Sequence, residues 1–333
     1  MNIPNPSTTR RSFIRTAALS GLSFLPGCGK RESKGAEVLR LGFFPNLTHV
    51  QALIAYEETQ ALGKEGVFEK ATGCVLEWYP FNAGPSAIES LLTGAVDATY
   101  VGPSPVLNGY IRTGGRDVRA LVGAARGATS LVVQPGAGLR GPADFRGKRL
   151  ATPQMGNTQD VAARAWLTAG GLTVTQKGGD ALVIPTANPD QLELFKRKEL
   201  EGVWTVEPWV SRLELDAGGE VLVRQDDVLV TLIASSVKTI RDRRPVLEKL
   251  VAAHRALTDR ILQEPAWAKE KVSAALKRAT SSPIRPDLLE RAWPRLKLGT
   301  GLDRADFEQA MNDAHAAGLL PAKADLGSLF ETL

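Results

Sequence analysis

From Val38 onward the chain alternates short apolar runs with helical periodicity, and this alternation restricts the possible folds more than any other feature. The runs fall at 38–44, 74–79, 98–101, 120–124, 131–133, 149–151, 181–184, 202–205 and 221–223. Each is too short for a core helix and is bounded by turn residues, so each reads as a strand. Strands interleaved with helices imply parallel sheets covered by helices on both faces, an α/β fold. From Arg243 to the end the pattern turns helical, with Val246, Leu250, Ala253, Leu257 and Ile261 at the 3,4 spacing of one buried face. A chain of 333 residues that is 43% hydrophobic has apolar material for two such bodies.

Composition removes several function classes. The formal net charge is +5, but three of those charges are Arg10, Arg11 and Arg15 in an acid-free leader, which leaves +2 and no electrostatic support for binding nucleic acid. No uncharged apolar run reaches the roughly 18 residues that a bilayer span needs. Two cysteines rule out a disulfide-stapled scaffold, and histidines at 49, 254 and 315 offer no metal-ligand spacing. No metal or other cofactor is expected. His254 and His315 read as surface or partly buried helix residues, and Cys74 as a small buried apolar residue.

The N-terminus is organised as a leader. Paired Arg10 and Arg11 precede Phe13 and Ile14, a mildly apolar stretch covers 16–24, and Leu25-Pro26-Gly27-Cys28 closes the segment. The arginine pair resembles the twin-arginine export signal, and the last four residues resemble the bacterial lipobox, in which the cysteine is lipidated before cleavage. Residues 1–27 are therefore expected to be an export signal and Cys28 the lipid-bearing first residue of the mature protein. Residues 28–37 are polar and read as a tether.

The turns that leave the strands carry the functional information. Pro45-Asn46-Leu47-Thr48-His49 comes after the first run, Asn82-Ala83-Gly84-Pro85-Ser86 after the second, Gly102-Pro103-Ser104-Pro105 after the third, Gly156-Asn157-Thr158-Gln159 after the run at 149–151, and Asn188-Pro189 after the run at 181–184. Three have the spacing of a capping box: Thr48 with Gln51, Ser86 with Glu89, and Asn188 with Gln191. Pro105 and Pro189 are placed as first helical residues. Ligands of open α/β sheets bind beyond the carboxyl ends of strands, where helix N-termini present unpaired N–H groups and a favourable dipole to an anion.

Gly136-Ala137-Gly138-Leu139-Arg140-Gly141, with Asp160 downstream, imitates a dinucleotide fingerprint. Pro135 and Pro142 flank it, and the next strand begins too soon for the helix that would hold a pyrophosphate. No Walker loop, nucleophile elbow or His-Glu-x-x-His motif occurs, and nothing assembles a nucleophile with a base, so the chain does not read as an enzyme.

The segments at 41–49 (LGFFPNLTH), 80–89 (PFNAGPSAIE), 100–105 (YVGPSP), 150–162 (LATPQMGNTQDVA), 187–192 (ANPDQL) and 206–209 (VEPW) together resemble the solute-binding proteins of ABC importers, in particular the aliphatic sulfonate, taurine and nitrate group. The resemblance spans about residues 38–320. It implies a two-lobe periplasmic-binding-protein fold of type II, with a hinge of two crossovers. One lobe would comprise 38–128 and 232–333, the other 129–231. It also implies a small anionic solute, a permease and ATPase complex as partner, membrane attachment through the lipid, and a monomer.

The residues expected around such an anion are Asn46, Thr48, His49, Asn82, Gly84, Ser86, Gly102, Ser104, Asn157, Thr158 and Gln159. Trp209 is expected against the apolar part of the solute, and Ser130, Glu207 and Thr231 at the hinge. Arg126, beside the first crossing, is the nearest arginine and reads as a solvated surface residue. An alkyl sulfonate, taurine or a sulfate ester is the leading solute. Nitrate or a thiamine-pyrimidine-like heterocycle, an extracellular sensor lobe, and an enzyme on the same fold remain as alternatives.

Overall fold

The computed structural model describes residues 37–333 except Ala322, so the export signal, Cys28 and nearly all of the tether lie outside the described residues. The chain opens with β1 (Val38–Phe43), α1 (Val50–Leu62), α2 (Val67–Thr72), β2 (Val75–Pro80), α3 (Gly84–Leu92), β3 (Ala98–Val101), α4 (Pro103–Arg112) and β4 (Val118–Gly127). A second series comes next: β5 (Thr129–Val133), β6 (Arg149–Thr152), α5 (Thr158–Ala169), β7 (Val174–Thr175), β8 (Gly178–Gly179), β9 (Leu182–Pro185), α6 (Asn188–Lys196), β10 (Gly202–Val206), α7 (Trp209–Ala217) and β11 (Glu220–Gln225). The chain closes with β12 (Leu229–Ser236), α8 (Val237–Gln263), α9 (Pro265–Thr280), α10 (Pro286–Ala292), β13 (Leu296–Leu298) and α11 (Arg304–Ala316).

Two sheets organise the body. One has the order β13-β4-β12-β3-β1-β2 and the other β11-β5-β10-β6-β9, with β7 and β8 forming a separate small ribbon. Successive residues of central strands serve opposite faces, as a two-residue repeat demands. Leu131 and Trp204 pack with Phe145 and Leu167 on one face, while Val132 and Val203 pack with Phe195 and Leu213 on the other. The larger sheet is likewise covered on both faces, by a core around Phe43, Leu53, Phe68 and Leu250 and by another around Val101, Leu107 and Phe307.

The expectation of parallel sheets needs correction. Pairs β1·β2, β1·β3, β6·β9 and β6·β10 are parallel, but β12 runs antiparallel to β3 and β4, β13 to β4, and β5 to β10 and β11. The antiparallel pairs involve the strands that pass the chain between sheets. β4 hands it directly to β5, and β12 receives it from β11, so the two passages lie side by side. Gly127 N–H donates to Val228 O across them at 2.9 Å. Gly127 has φ +71 there, and a Cβ would press on Asp226 O, so this position requires glycine.

The C-terminal region is helical except for the short edge strand β13, which the helical expectation did not include. In α8 the buried face centres on Leu247, Leu250, Val251, His254, Leu257 and Ile261. His254 is fully buried, beyond the surface or partly buried position expected. Its Nε2 donates to Gly123 O at 2.9 Å and its Nδ1 accepts from the Tyr100 hydroxyl at 2.9 Å, because the carbonyl can only accept. His315 is partly buried, with Nδ1 3.2 Å from Leu320 O. A 3-10 turn, Pro142–Phe145, comes directly after the glycine-rich stretch at 136–141, so no helix stands where a dinucleotide would need one. Cys74 is buried.

Candidate functional site

Four helices start at the face where the two sheets meet: α3 and α4 from the larger sheet, α5 and α6 from the smaller. Their first turns line one narrow cavity of about 30 Å³ with Phe44, Asn46, Thr48, His49, Asn82, Ala83, Gly84, Gly102, Pro105, Pro153, Asn157, Thr158, Gln159, Asn188, Val206 and Val230. That is about the space of a single water molecule, so the strands and turns are already drawn together. None of these residues carries a carboxylate, lysine or arginine.

The capping boxes expected here do not form. The residue before α3 is Ala83, before α4 Gly102 and before α6 Ala187, and none of the three caps its helix through a side chain. Ser86 lies inside α3, and Asn188 is the first residue of α6. Thr48 lies in a 3-10 turn, and Gln51 donates to Ala124 O at 2.9 Å. α4 begins at Pro103, which places Pro105 third, and Pro189 is second in α6. Proline near a helix start removes one N–H from those needing an acceptor and presets the helical φ. The remaining first-turn N–H groups have no local side-chain cap, and in α4, where Pro103 and Pro105 carry none, Ser104 supplies the one left.

α5 is built differently. Asn157 Oδ1 accepts from Asp160 N at 2.8 Å, a regular cap. The Asp160 carboxylate accepts from Thr152 Oγ1 at 2.9 Å, Gly156 N at 2.9 Å and Arg164 Nε at 3.0 Å, with both members of the ion pair almost fully buried. This cluster fixes the 153–157 loop and turns Thr158 and Gln159 toward the cavity. Thr158 Oγ1 is buried without a hydrogen-bond partner among the described residues. It lies against the backbone of Gly102, where a Cβ would strike it. A buried hydroxyl without a partner carries a desolvation cost that a ligand acceptor would remove.

His49 is buried and neutral. Its Nδ1 accepts from Phe44 N at 3.3 Å, which leaves the proton on Nε2. Burial pulls its pKa down to about 3, and that of His254 down to about 4. His49 therefore adds no titration to the cavity near neutral pH.

Contacts between the two sheets' turns hold the narrow cavity shut. Leu47 N donates to Glu207 O at 3.0 Å, Asn82 Nδ2 to Pro153 O at 3.2 Å, Gln154 Nε2 to Ser86 Oγ at 3.0 Å, and Trp209 Nε1 to Asn46 Oδ1 at 3.1 Å. Glu207 is fully buried. Its carboxylate accepts from Ser211 N and Oγ and pairs with Arg295 at 2.8 Å, and burial raises its pKa against the pull of that arginine. Its N–H donates to Ala128 O at 2.9 Å, beside the first passage. Ser130 sits in β5, and Thr231 sits in β12 with its hydroxyl buried and unpartnered among the described residues.

Of the residues singled out from sequence, Asn46, Thr48, His49, Asn82, Gly84, Gly102, Asn157, Thr158 and Gln159 meet in the narrow cavity. Ser86 stands at its rim against Gln154. Ser104 is buried and faces a separate depression beside α11. Arg126 is held by Asp306 at 2.7 Å and Asp227 at 3.1 Å, away from the cavity. Trp209 belongs to a second cavity of about 370 Å³ that shares Asn46, Asn82 and Asn188 with the first and is otherwise largely apolar. Asn188, Phe81, Leu276 and Ile284 were not expected here from sequence. Asn188 was visible only as a helix start, Phe81 only as part of the segment 80–89, and Leu276 and Ile284 carried no local signal.

The family profile described as NMT1-like matches residues 32–276, and the chain belongs to that family. The taurine-binding periplasmic protein of Escherichia coli K12 is 26% identical over 183 residues, 54% of each chain, so the match spans about half the length of that relative. Among solved structures, the alkanesulfonate-binding protein of Xanthomonas axonopodis pv. citri bound to MOPS superposes with TM-score 0.71 at 18% identity, covering 90% of this chain and 100% of that one. The periplasmic nitrate-binding protein of Synechocystis PCC 6803 superposes with TM-score 0.69 at 15% identity, covering 87% of this chain and 84% of that one. The fold is that of the two-lobe periplasmic binding proteins. No helix among the described residues is long and apolar enough to cross a membrane.

The two buried histidines make acid stability a direct check on this burial. Their folded pKa values lie below that of an exposed histidine, so the unfolded chain takes up protons that the folded one refuses. Stability is lost as pH falls below about 6.5, with the pair contributing up to about 2.7 kcal/mol per pH unit. Urea unfolding between about pH 7 and pH 5 measures the slope, and His254→Gln should remove roughly half of the histidine share. An unchanged slope in both His49→Gln and His254→Gln would place the acid sensitivity elsewhere.

Proposed function

We propose that the protein is a solute-binding receptor of an ABC importer that captures a small organic anion, an alkyl sulfonate, taurine or a sulfate ester, between its two lobes. The observation that carries this reading is the convergence of helix starts without side-chain caps on a cavity lined by no ionised side chain. A sulfonate keeps one negative charge over three oxygens at any physiological pH. It needs several donors and no proton acceptor, and first-turn N–H groups with neutral Asn, Thr, Gln and His side chains supply that need. Each charge-assisted hydrogen bond contributes about 1.5–3 kcal/mol, so a few suffice for micromolar affinity.

Membership of the NMT1-like family and the names of the relatives support the same class of solute. In this reading Gly84, Gly102, Asn157, Thr158 and Gln159 hold the head group with Asn46, Thr48, His49 and Asn82. Ser86 adds a donor from the adjoining helix turn, Ser104, expected beside it, faces the depression next to α11 instead, and Trp209 covers the apolar body of the solute. The lobes follow the two sheets, so the boundary expected at 231 moves back to the 226–228 passage ahead of β12. Ser130, Glu207 and Thr231 flank the passages on which they close, and the closed receptor delivers its solute to a permease and ATPase.

Calorimetry against an alkyl sulfonate tests the site. Thr158→Asp and Ser86→Asp each place a carboxylate in or beside the cavity and should weaken binding by about 2–3 kcal/mol. Affinity of the unaltered protein should stay flat between about pH 6 and 9, since neither the sulfonate nor the buried His49 titrates there. Unaltered affinity in both variants would put the anion elsewhere, and strong binding of a neutral heterocycle alone would overturn the sulfonate reading.

We infer from Arg10, Arg11 and the 25–28 lipobox that the receptor is exported by the twin-arginine route and anchored outside the cytoplasm through lipid on Cys28. Cys28→Ala should release the body from the membrane fraction, and the Arg10→Lys, Arg11→Lys double variant should leave precursor in the cytoplasm. A membrane-bound Cys28→Ala protein, with no lipid on the unaltered one by mass spectrometry, contradicts the anchor.

A further inference from the structure

The larger cavity contains a charge that its surroundings do not neutralise. Arg212, in the first turn of α7, stacks its guanidinium 4.8 Å above the Trp209 ring and lines this cavity. Its Nε is buried without a hydrogen-bond partner, and it forms no ion pair among the described residues. The acid nearest in effect, Asp216, is already held by Arg285 at 2.7 Å. No Asp or Glu lines the cavity, and Phe81, Leu276 and Ile284 give it apolar walls. Burial pulls the Arg212 pKa down, yet an arginine stays charged in a protein. Arg212 as a whole is half-buried, but its Nε donor is buried and unpartnered beside apolar walls, and an anion in the cavity would complete it.

The geometry of the two cavities joins this charge to the head-group site. They share Asn46, Asn82 and Asn188, and Trp209 bridges them, bonding to Asn46 through Nε1 and carrying Arg212 on its face. A cavity of about 30 Å³ has no room for the body of a solute and must widen even for a head group, whereas about 370 Å³ falls in the range that encloses small organic ligands. We propose that the preferred solute is a two-ended anion, with a sulfonate at the helix starts, an apolar or aromatic body against Trp209, and a second acidic group, a carboxylate or its equivalent, on the Arg212 guanidinium. This inference rests on the sulfonate reading of the narrow cavity. Of the solutes proposed above, taurine, whose far end is a cation, would then bind more weakly than a two-ended anion.

The test compares 4-sulfobenzoate with its carboxyl methyl ester, which keeps only the sulfonate charge, by calorimetry, with benzenesulfonate as the probe lacking the second group. The unaltered protein should bind 4-sulfobenzoate about tenfold or more tighter than the ester, the lower end of what one charge-assisted hydrogen bond contributes. Arg212→Gln should bring that ratio to about one while leaving ester and benzenesulfonate affinities within about threefold, and Arg212→Lys should keep part of the ratio. Retained benzenesulfonate binding in the variants shows that they fold. A ratio near one in the unaltered protein overturns the two-ended solute alone. Equal weakening of all three probes by Arg212→Gln also overturns it, because the arginine then holds the sulfonate. Failure of every probe to bind the unaltered protein overturns the sulfonate reading and this inference with it.

Discussion

The first backbone N–H groups of an α-helix have no partner within the helix, and the group that satisfies them decides what the helix start can do. Here α3, α4 and α6 begin without a side-chain cap at a single cavity. α5 uses Asn157 and Asp160 on its own first turn and leaves the Thr158 hydroxyl without a partner among the described residues. Side-chain capping of all four helices would stabilise the body and leave the cleft with little to offer a ligand. The arrangement gives up local stability at the point where an acceptor from outside can replace it.

The rest of the fold brings these starts together from two sheets. Opposed turns face one another because β4 passes directly into β5 and the chain returns beside that passage through 226–228. Gly127 permits this close approach. Groups that touch both sides include Asn46 with Trp209, Asn82 with Pro153 O and the Leu47 N–H with Glu207 O at the turns, and away from the cavity the ion pairs of Arg295 with Glu207 and Glu214, Arg291 with Glu214 and Arg285 with Asp216. A solute that adds several bonds at the turns strengthens the side of this contact that the ion pairs do not reach.

Much of this was legible in the sequence. Nine short apolar runs marked strands, and the polar small-residue turns after them marked the cleft, because both signals are local. Strand direction was not, since β12 and β5 are antiparallel to their neighbours by virtue of where the chain crosses between sheets, which no window of residues encodes. Ser86 and Glu89 have the spacing of a cap, yet Pro85 allows the helix to begin at Gly84 and makes Ser86 an internal residue. His254 read as a surface or partly buried histidine on a helix, and its partners Tyr100 and Gly123, both more than 100 residues away, explain its full burial. Arg212 looked equally ordinary, because the missing partner that makes it notable is a fact of three-dimensional surroundings.

Everything proposed for the solute depends on first-turn N–H groups of opposed helices holding its anionic head. A crystal structure of the protein with ethanesulfonate measures this directly. Sulfonate oxygens should lie within about 3.2 Å of donors at Gly84 and at Thr158 or Gln159, with Thr158 Oγ1 now partnered and the two sheets' turns closed on the head group. A sulfonate seated on an arginine outside the narrow cavity, with those helix starts untouched, would contradict it.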